Sequence, residues 1–432
     1  MELVRGRSVV AIVAALLALG VTGSAVAVAA SGGAGLGEGQ KPPPSGATTP
    51  RPSTPKVSKR NPLGGRGMWI WEVGSSDHGS LNAIIAQAKH YGVSTLMIKS
   101  SDGTGMWSQF SRTLVSTLHA RGLRVCAWQY VYGNNPVAEA NVGAQAVRDG
   151  ANCLLIDAES EYEGKYVSAQ TYIQKLRSQI GTGFPVALAG FPYVDYHPGF
   201  PYSVFLGPGG AQYNAPQMYW KDIGVSVDTV YAHTFAYNRL YGRPIFPLGQ
   251  VYNGPPASQI ERFREVGYSY GASGISWWDW QEAPGSAWSA ISRRVGRISG
   301  YKAYNNYATL GSGANGDVVV WAQEHLLSAG ERLGVDGGFG PATKAAVVAF
   351  QSAHGIAATG LIDQATWQAL LRYPPAKVTW VIRKHKQTAT VANAFTARSP
   401  GAPRSGAAVV PASAKDRAKG YEIPRSLGAG RP

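Results

Sequence analysis

The sequence predicts an α/β fold followed by a small all-helical unit. Between residues 67 and 300, eight short β-type runs alternate with helix-like segments, and glycines stand where four of those helices should end. Strict alternation of strand and helix favours a parallel sheet with helical crossovers. Eight strands in this length match a (β/α)₈ barrel, which typically needs about 250 residues. An open doubly wound sheet is the alternative, although no G-x-G-x-x-G loop follows the first run.

The predicted elements of this barrel follow from runs of β-branched and aromatic residues and from helical spacing of apolar ones. The eight strands are Met68–Val73, Thr95–Ser100, Arg124–Tyr132, Cys153–Glu159, Pro185–Phe191, Ala215–Trp220, Pro244–Tyr252 and Gly274–Trp280. The clearest helices are Leu81–Tyr91, Ser111–Arg121, Pro136–Asp149, Ala169–Ile180 and Ala257–Tyr268.

Residues 314–372 predict three helices in a separate unit, called the module below. They are Asp317–Ser328, Ala342–His354 and Gln364–Leu371. Pro341 suits the first turn of the second helix, and Asp363 is a good N-cap for the third. Residues 301–313 are predicted to link barrel and module.

The two ends of the chain have a different composition. Arg5 and Arg7 precede an apolar run from Val9 to Ala30, which predicts an export signal over residues 1–30. The run is also long enough for an uncleaved membrane anchor. Residues 31–66 are a Pro-, Gly- and Ser-rich linker and residues 373–432 a basic tail, and both are predicted to be disordered.

The net charge of +15 resides in these flanks. Residues 1–66 hold eight Lys and Arg against two acidic residues, and residues 373–432 hold eleven against two. Residues 67–372 are neutral, so no nucleic-acid partner is predicted. Loose attraction of the flanks to an anionic wall or membrane surface is the simpler interpretation.

Two cysteines, Cys126 and Cys153, lie near the starts of strands that should be neighbours. After export they could form a disulfide. Two small buried hydrophobic side chains are the alternative. Without clustered histidines they predict no zinc site, and neither a metal nor a cofactor is predicted.

In a (β/α)₈ barrel the site is built at the carboxyl ends of the strands. Polar and aromatic residues gather at these ends, as suits a sugar, because rings face apolar pyranose faces while carboxylates and amides bond hydroxyl groups. The predicted catalytic residues are Asp157, Glu159, Asp222 and Asp279. The predicted substrate-binding residues are Glu72, Lys99, Tyr130, Tyr219, Tyr252 and Trp278.

The strongest feature is Asp157-Ala158-Glu159 at the end of the fourth strand. Residues i and i+2 of a strand project to the same face, so both carboxylates should point into the barrel mouth. Glycoside hydrolysis commonly uses two carboxyl groups, about 5–5.5 Å apart for retention of configuration and about 6.5–9.5 Å apart for inversion.

Motifs of the module resemble the three-helix peptidoglycan-binding family throughout its length. They run from Gly316-Asp317-Val318 and Gln323 through Val335-Asp336-Gly337, Phe339-Gly340 and Phe350-Gln351 to Thr359-Gly360 and Thr366-Trp367. The resemblance implies affinity for cell-wall glycan or its peptide stems. The candidate binding residues are Asp336, Phe339, Phe350 and Gln351. Trp321 departs from the family, which has an aliphatic residue there more often.

The Asp-x-Glu pair resembles the glycoside hydrolase family twenty-five muramidases and, more distantly, chitinase-like barrels. That resemblance implies general-acid duty for Glu159 and charge or orientation duty for Asp157. The first strand carries Glu72 where the muramidases have an aspartate. The whole chain looks like secreted actinobacterial-type glycoside-hydrolase-like barrels fused to wall-binding modules.

These observations together predict a secreted, cell-wall-associated glycan hydrolase that binds peptidoglycan through its module. The alternative is a non-catalytic envelope protein whose barrel only binds polysaccharide. Wall association through the basic tail alone is a third possibility. Contact with a membrane is expected only through an uncleaved signal segment.

Overall fold

The computed structural model of the protein describes residues 61–383 and 386–391. The predicted export signal, most of the linker after it and the tail beyond residue 391 lie outside the described residues. The α/β fold class and the (β/α)₈ architecture are confirmed, and the helical module follows the barrel.

Eight parallel strands form the barrel wall, and a short ninth strand, β3, pairs antiparallel with β2. Parallel bridges from Asn214 to Ile245 and from Gln217 to Leu248 join the two ends of the sheet and close the barrel. The strands are β1 (Gly65–Ile70), β2 (Thr95–Asp102), β3 (Gly105–Met106), β4 (Arg124–Val131), β5 (Cys153–Ala158), β6 (Val186–Ala189), β7 (Tyr213–Asn214), β8 (Leu248–Gln250) and β9 (Gly274–Trp278).

The sixth parallel strand, β7, lies earlier in the chain than predicted. It covers two residues and ends before Pro216, which has no N–H group to donate to a ladder. The residues from Trp220, predicted to end this strand, instead begin a short helix. The first strand also starts early, since β1 begins at Gly65, inside the predicted linker.

Helices connect successive strands and surround the barrel. Hydroxyl and amide side chains cap several of them, as when Ser80 accepts a hydrogen bond from the N–H of Ala83. None of the helices in the described part of the chain is long and apolar enough to cross a membrane. They are α1 (Leu81–His90), α2 (Arg112–Ala120), α3 (Pro136–Arg148), α4 (Tyr166–Ile180), α5 (Tyr202–Phe205), α6 (Trp220–Ile223), α7 (Val227–Asn238), α8 (Ala257–Ser269) and α9 (Gly285–Ser292).

Alternation along the strands divides the core into two layers. In β5, Leu154 and Ile156 pack outward against the helices, whereas Cys153 and Leu155 pack inside the barrel. Asp157 lies two residues after Leu155 and therefore projects from the same face of the strand. Its carboxylate thus points into the barrel interior at the carboxyl end of β5. The strand pattern thereby places the predicted carboxylate in the mouth.

The two cysteines form a disulfide bond. Cys126 in β4 lies directly opposite Cys153 in β5, and their Cα atoms are 4.6 Å apart. Both side chains are buried inside the barrel. The bond therefore joins the strand that carries Asp157 to its neighbour, and the question that the sequence left open is answered in favour of pairing.

The module contains the three predicted helices, α10 (Asp317–Ser328), α11 (Pro341–Ala353) and α12 (Gln364–Leu370). All ten residues from Asp317 to Leu326 are buried. A helix buried all round must be covered on more than one side. Here α11 and α12 cover one side of α10, and the barrel covers another.

The barrel contacts α10 where its own helical layer is thin. The crossover from β6 to β7 contains only the one-turn helix α5 and the short 3₁₀ helix Val194–Tyr196, and α10 packs against both. Trp321 packs on Tyr241 with ring centroids 5.2 Å apart and donates its Nε1–H to the carbonyl oxygen of Leu240. The tryptophan that departs from the family pattern is thus a docking residue for the barrel.

The tail predicted to be disordered from residue 373 instead begins with a β-hairpin. Its strands are β10 (Val378–Arg383) and β11 (Lys386–Val391). Trp380 is buried against Tyr166 at the start of α4, with ring centroids 4.1 Å apart. The apolar side chains of this short segment bury enough surface to order it, despite the basic composition that favoured disorder.

Candidate active site

Two carboxylates meet at the mouth of the barrel and share one hydrogen-bond donor. The side-chain nitrogen of Gln217, which follows β7, donates to Asp157 Oδ1 and to Glu159 Oε1, each at 3.0 Å. The two oxygens are therefore at most about 6 Å apart, within the span that paired catalytic carboxyl groups use. Asp157 and Glu159 are called the carboxylate pair below.

Burial raises the pKa of both members of the pair. Asp157 is 7% exposed, and burial raises its pKa well above the usual range; the charge of Glu159 adds to this, while Lys99 opposes it. Burial also raises the pKa of Glu159, whereas the hydrogen bond from Gln217 lowers it. Like charges in one buried site resist double ionisation, so the pair tends to hold a single proton.

Neither carboxylate of the pair is locked in an ion pair with a basic side chain of the described residues. Glu159 is the more exposed of the two. A sugar oxygen entering the mouth can therefore reach Glu159 directly, which a structural ion pair would prevent. The arrangement leaves the pair able to exchange protons with a ligand.

Lys99 stands beside the pair in an aromatic setting. Its Nζ atom lies 2.8 Å from Asp102 Oδ2, 4.4 Å from the ring centroid of Trp107 and 4.9 Å from that of Trp128. Tyr132 donates to the other oxygen of Asp102 at 2.8 Å. The ammonium is thus held as a fixed positive charge, close enough to lower the pKa of Asp157.

Three tryptophans form the floor of the mouth. Trp69, Trp128 and Trp278 contact one another with centroid separations of 5.4–5.9 Å. Trp69 and Trp128 are buried, while Trp278 is partly exposed. Trp278 is accordingly the member of the three that a ligand in the mouth can contact, and its binding of sugar stays a prediction.

Two of the predicted tyrosines border the pair. Tyr130 donates to Glu161 Oε2 at 2.7 Å, and burial together with the charge of Glu159 raises its pKa far above 10. Burial likewise raises the pKa of Tyr219, with added contributions from Tyr252 and the carboxylate pair. Both phenols stay protonated at ordinary pH, so they offer hydroxyl groups to a ligand.

Asp222, a predicted catalytic residue, has a separate network. Its carboxylate accepts hydrogen bonds from Tyr252, from Asn253 at 2.8 Å and from Gln250 at 3.3 Å. These bonds tie together the segment after β8 and fix the ring of Tyr252, which stands edge-on to Tyr219 at 5.5 Å. The geometry gives Asp222 a positioning role rather than contact with the pair.

Asp279 follows Trp278 through a cis peptide bond and is buried. Burial raises its pKa to about 7, and the charge of Glu282 adds to the shift. Its carboxylate accepts a weak hydrogen bond from the backbone N–H of Glu282 at 3.4 Å. Asp279 is therefore a second buried acid at the barrel mouth, whose charge also acts on Tyr219.

Glu72 follows the first strand, and its hydrogen bonds go to residues of the loop that comes directly after it. Its Oε2 atom accepts a hydrogen bond from Ser75 at 2.8 Å, and its carbonyl oxygen accepts one from Ser76. No contact joins it to the carboxylate pair among the described residues. Those residues also contain no group of three or more His, Cys, Asp or Glu placed to hold a metal ion.

The four residues predicted to bind peptidoglycan hold the module together. Phe339 and Phe350 are core residues, and Gln351 is fully buried. Asp336 accepts hydrogen bonds from Gly338 N–H at 2.9 Å and from Gln323 at 2.8 Å. Burial gives Phe339, Phe350 and Gln351 a packing role, whereas Asp336 is exposed, and contact of these residues with the wall stays a prediction.

Gln323 and Gln351 play the same part in two halves of the module. The amide of Gln323 donates to Asp336, Gly338 and Thr343, and it accepts the N–H of Gly337. In the second half, the amide of Gln351 donates to Thr359, Leu361 and Thr366, and it accepts the N–H of Gly360. Each loop between helices is thus built on one buried glutamine.

Two shallow grooves lie away from the carboxylate pair. One, of about 480 Å³, is on the module and is lined by Gly330, Glu331, Arg332 and four alanines of α11. The other, of about 490 Å³, lies along α1. The barrel mouth is a separate, polar feature, defined by its hydrogen bonds and aromatic rings.

Two residues of the mouth were missed as site residues. Gln217 stands at a predicted strand end, but its place between two carboxylates depends on barrel closure, which no local pattern encodes. Trp107 follows β3 and covers Lys99. Its signal was an isolated tryptophan two residues after the Gly-rich turn Gly103-Thr104-Gly105.

The fold and site define a (β/α)₈ barrel with a carboxylate pair, joined to a helical module. Residues 315–370 match the family described as a putative peptidoglycan binding domain, which confirms the resemblance carried by the module's motifs. The zinc D-Ala-D-Ala carboxypeptidase of Streptomyces albus G is 40% identical over 88 residues, or 20% of this chain. The match covers 34% of that enzyme, so this chain spans about a third of the curated relative's length.

Two solved structures are similar to different parts of the chain. The endolysin of Burkholderia AP3 phage is 43% identical, with 15% of this chain and 25% of that chain covered and a TM-score of 0.15. A class V chitinase from Pseudomonas fluorescens Pf-5 covers 53% of this chain and 98% of its own, at 10% identity and a TM-score of 0.43. A likeness as distant as the second says nothing about activity.

Proposed function

We propose that the protein is a secreted glycan hydrolase that cleaves glycosidic bonds in peptidoglycan or a related N-acetylated polysaccharide. The observation that carries this proposal is the convergence of Asp157 and Glu159 on one amide at the barrel mouth. The two oxygens bonded to Gln217 are at most about 6 Å apart, which is nearer the spacing of about 5–5.5 Å in retaining pairs than the 6.5–9.5 Å in inverting pairs.

Glu159 delivers the proton in this mechanism. It is the more accessible carboxyl group, and burial raises its pKa, which favours its protonated form. Its proton passes to the glycosidic oxygen as the bond to the anomeric carbon breaks. A water molecule then attacks the anomeric carbon and forms the new C–O bond, and its proton passes to the Glu159 carboxylate, which restores the acid.

Asp157 is the member of the pair that acts in its ionised form, although burial and the charge of Glu159 raise its pKa. The ammonium of Lys99 favours its ionised form and opposes the effect of burial. The carboxylate stabilises the positive charge that develops at the anomeric carbon, and it does so in a site with little water. Gln217 keeps the two groups at a fixed separation, while Trp278 and the tyrosines contact the sugar.

The module supplies affinity for the wall. Its match to a putative peptidoglycan binding domain supports this role. Because α10 is packed against the barrel, the module holds the mouth in one orientation toward a bound wall, and binding raises the local substrate concentration. The groove beside α11 is a candidate contact surface, since it is open and rimmed by Glu331 and Arg332.

Export fits two features of the chain. The disulfide between Cys126 and Cys153 is of a kind that persists in oxidising compartments. Residues 1–30 have the composition of a signal segment, although they lie outside the described residues.

The test is incubation of the purified full chain with purified peptidoglycan and with an unacetylated β-1,4 glucan. We expect soluble saccharides with new reducing ends from peptidoglycan and none from the glucan. Analysis of the product ends identifies the bond cleaved. Wall binding without new reducing ends, across several wall types and pH values, would instead leave a non-catalytic envelope protein.

A further inference from the structure

The segment that carries Glu159 runs from β5 to α4 and is called the Glu159 loop below. It covers residues 159–165. Glu159 lies just outside β5, which ends at Ala158, and it precedes the single 3₁₀ turn Ser160–Tyr162. Its carboxyl group is therefore not fixed by the sheet alone, and its position relative to Asp157 depends on what holds the loop.

Neighbouring connections of the barrel hold one side of the Glu159 loop. The ammonium of Lys165 donates to the carbonyl oxygen of Tyr132 at 2.8 Å and to the side-chain oxygen of Asn134 at 2.7 Å. The N–H of Gly164 donates to the carbonyl oxygen of Gly199 at 2.8 Å. These bonds tie the end of the loop to the connections that follow β4 and β6. The junction of the loop with α4 requires partners of its own, because the first N–H groups of a helix have none within it.

A side chain of the hairpin β10–β11 supplies these partners. The N-cap residue of α4 is Lys165, whose side chain makes no capping bond, since an ammonium group has no acceptor. Gln387 in β11 takes this role, and its amide oxygen accepts the N–H of Val167 in the first turn of α4 at 2.7 Å. The nitrogen of the same amide donates to the carbonyl oxygen of Gly164. One side chain of the hairpin thus joins the end of the Glu159 loop to the start of α4.

Contacts with barrel and module hold the hairpin itself in place. Gln170 in α4 accepts the backbone N–H of Trp380 at 2.9 Å and donates to its carbonyl oxygen at 3.4 Å. Trp380 and Tyr166 share a small apolar cluster with Val320 and Val335 of the module. A two-stranded hairpin is only marginally stable by itself in water, so these contacts account for its order. They also fix the strand from which the side chain that bonds to the Glu159 loop projects.

We propose that Gln387 is a positioning residue for Glu159, and that the hairpin completes the active site of the barrel. Gln387 acts through the Glu159 loop rather than on the substrate. Its two hydrogen bonds hold the end of the loop, and the loop in turn holds the carboxyl group of Glu159 beside Asp157. The effect on the rate of sugar release rests on the proposed function, whereas the hold on the loop does not.

The test compares Gln387→Ala with Thr388→Ala in the full chain. Thr388, the next residue of β11, is exposed and projects from the opposite face of the hairpin, so it is the matched control. Amide hydrogen exchange of residues 159–165, measured by mass spectrometry, should be about fivefold or more faster in Gln387→Ala and unchanged in the control. On soluble peptidoglycan strands kcat should fall about tenfold while KM stays nearly constant, because the acid is misplaced and the sugar contacts remain.

Neither substitution removes a core side chain, so both variants should fold, and one cooperative thermal unfolding transition in each verifies this. Unchanged exchange of the Glu159 loop in Gln387→Ala would overturn the positioning role, as would a wild-type kcat in that variant. A wild type that releases no sugar would instead contradict the proposed function. The exchange of the loop would then still decide whether the hairpin holds it.

Discussion

Asp157 and Glu159 accept hydrogen bonds from the same nitrogen atom, the side-chain amide of Gln217, at 3.0 Å each. The two hydrogens of one amide therefore hold together two groups whose charges repel. Each bond favours the ionised form of its carboxylate. Gln217 thus sets both the separation of the pair and the pH at which the pair exchanges its proton.

Replacement of Gln217 by alanine should shift the pH profile of sugar release to higher pH. The hydrogen bond from Gln217 lowers the pKa of Glu159, so its loss lets burial raise that pKa further. Activity at the optimum should fall about tenfold or more, because the carboxylates are no longer held in place. Rates from pH 4 to 9 measure this. Gln179→Ala, at a surface glutamine on α4, should leave the profile unchanged, and a Gln217→Ala profile identical to wild type would contradict the role of Gln217.

Truncation of Trp321 should weaken the whole protein and not only the module. Trp321→Ala removes a buried ring from the contact with Tyr241, at an expected cost of about 3–5 kcal/mol in the free energy of unfolding. Trp321→Phe keeps a ring but loses the hydrogen bond to Leu240, at a cost of about 1 kcal/mol from that bond. Urea denaturation measures both.

Because α10 packs against the barrel as well as against the other two helices of the module, the wild type should unfold in one transition. Leu361→Ala, at an exposed residue, is the control, with an expected change within about 0.5 kcal/mol. A Trp321→Ala protein no less stable than that control would show that barrel and module do not depend on each other.

Asp317 should make the docked module less stable as the pH rises. It accepts hydrogen bonds from Ser203 and Tyr241, yet burial raises its pKa from 3.8 to about 6. The folded state therefore binds the proton more tightly than the unfolded state. The stability from this group is fully present below about pH 4 and is lost as the pH rises through about 6.

Asp317→Asn removes this titration, while buried Glu324 titrates in both proteins. Relative to the variant, the wild type should lose on the order of 1–3 kcal/mol of unfolding free energy between pH 4 and pH 7. Denaturation at a series of pH values measures the difference. A constant difference across this range would mean that Asp317 ionises alike in the folded and unfolded states.

Loss of the disulfide should destabilise the strand that carries Asp157. The bond closes a loop of 27 residues, and its removal by Cys126→Ala with Cys153→Ala should cost about 2–4 kcal/mol. Thermal unfolding with and without a reducing agent measures the effect. The reducing agent should lower the melting temperature of the wild type and leave the variant unaffected; equal sensitivity of both proteins would argue against the bond.

Local patterns predicted what depends on local structure. The strands around Asp157 and the three module helices were found because apolar alternation, capping residues and terminal glycines act over a few positions. The sixth strand was placed too late in the chain, because the run that suggested it begins at Ala215, whereas the continuous strand ends at Asn214 and only an isolated bridge at Gln217 follows. The alternation of side chains along the fourth predicted strand was enough to place the Asp157 carboxylate in the barrel mouth.

Contacts between distant segments could not be predicted in this way. Gln217 reaches the carboxylate pair only because the barrel closes. Trp321 stood out in the sequence as a departure from the peptidoglycan-binding family, but the sequence did not show what the tryptophan contacts. Its partner, Leu240, lies 81 positions earlier in the chain. The aromatic residues Phe339 and Phe350 had the composition of a binding site, yet the module is too small to fold without burying them.

The central claim is that Asp157 and Glu159 together cleave a wall glycan. The most direct measurement is sugar release from purified peptidoglycan by the full chain beside its Glu159→Gln and Asp157→Asn variants, with wall binding recorded for all three. We expect each substitution to reduce release at least about a hundredfold while binding is retained. Release that survives both substitutions, or a wild type that binds the wall and releases nothing, would contradict the claim.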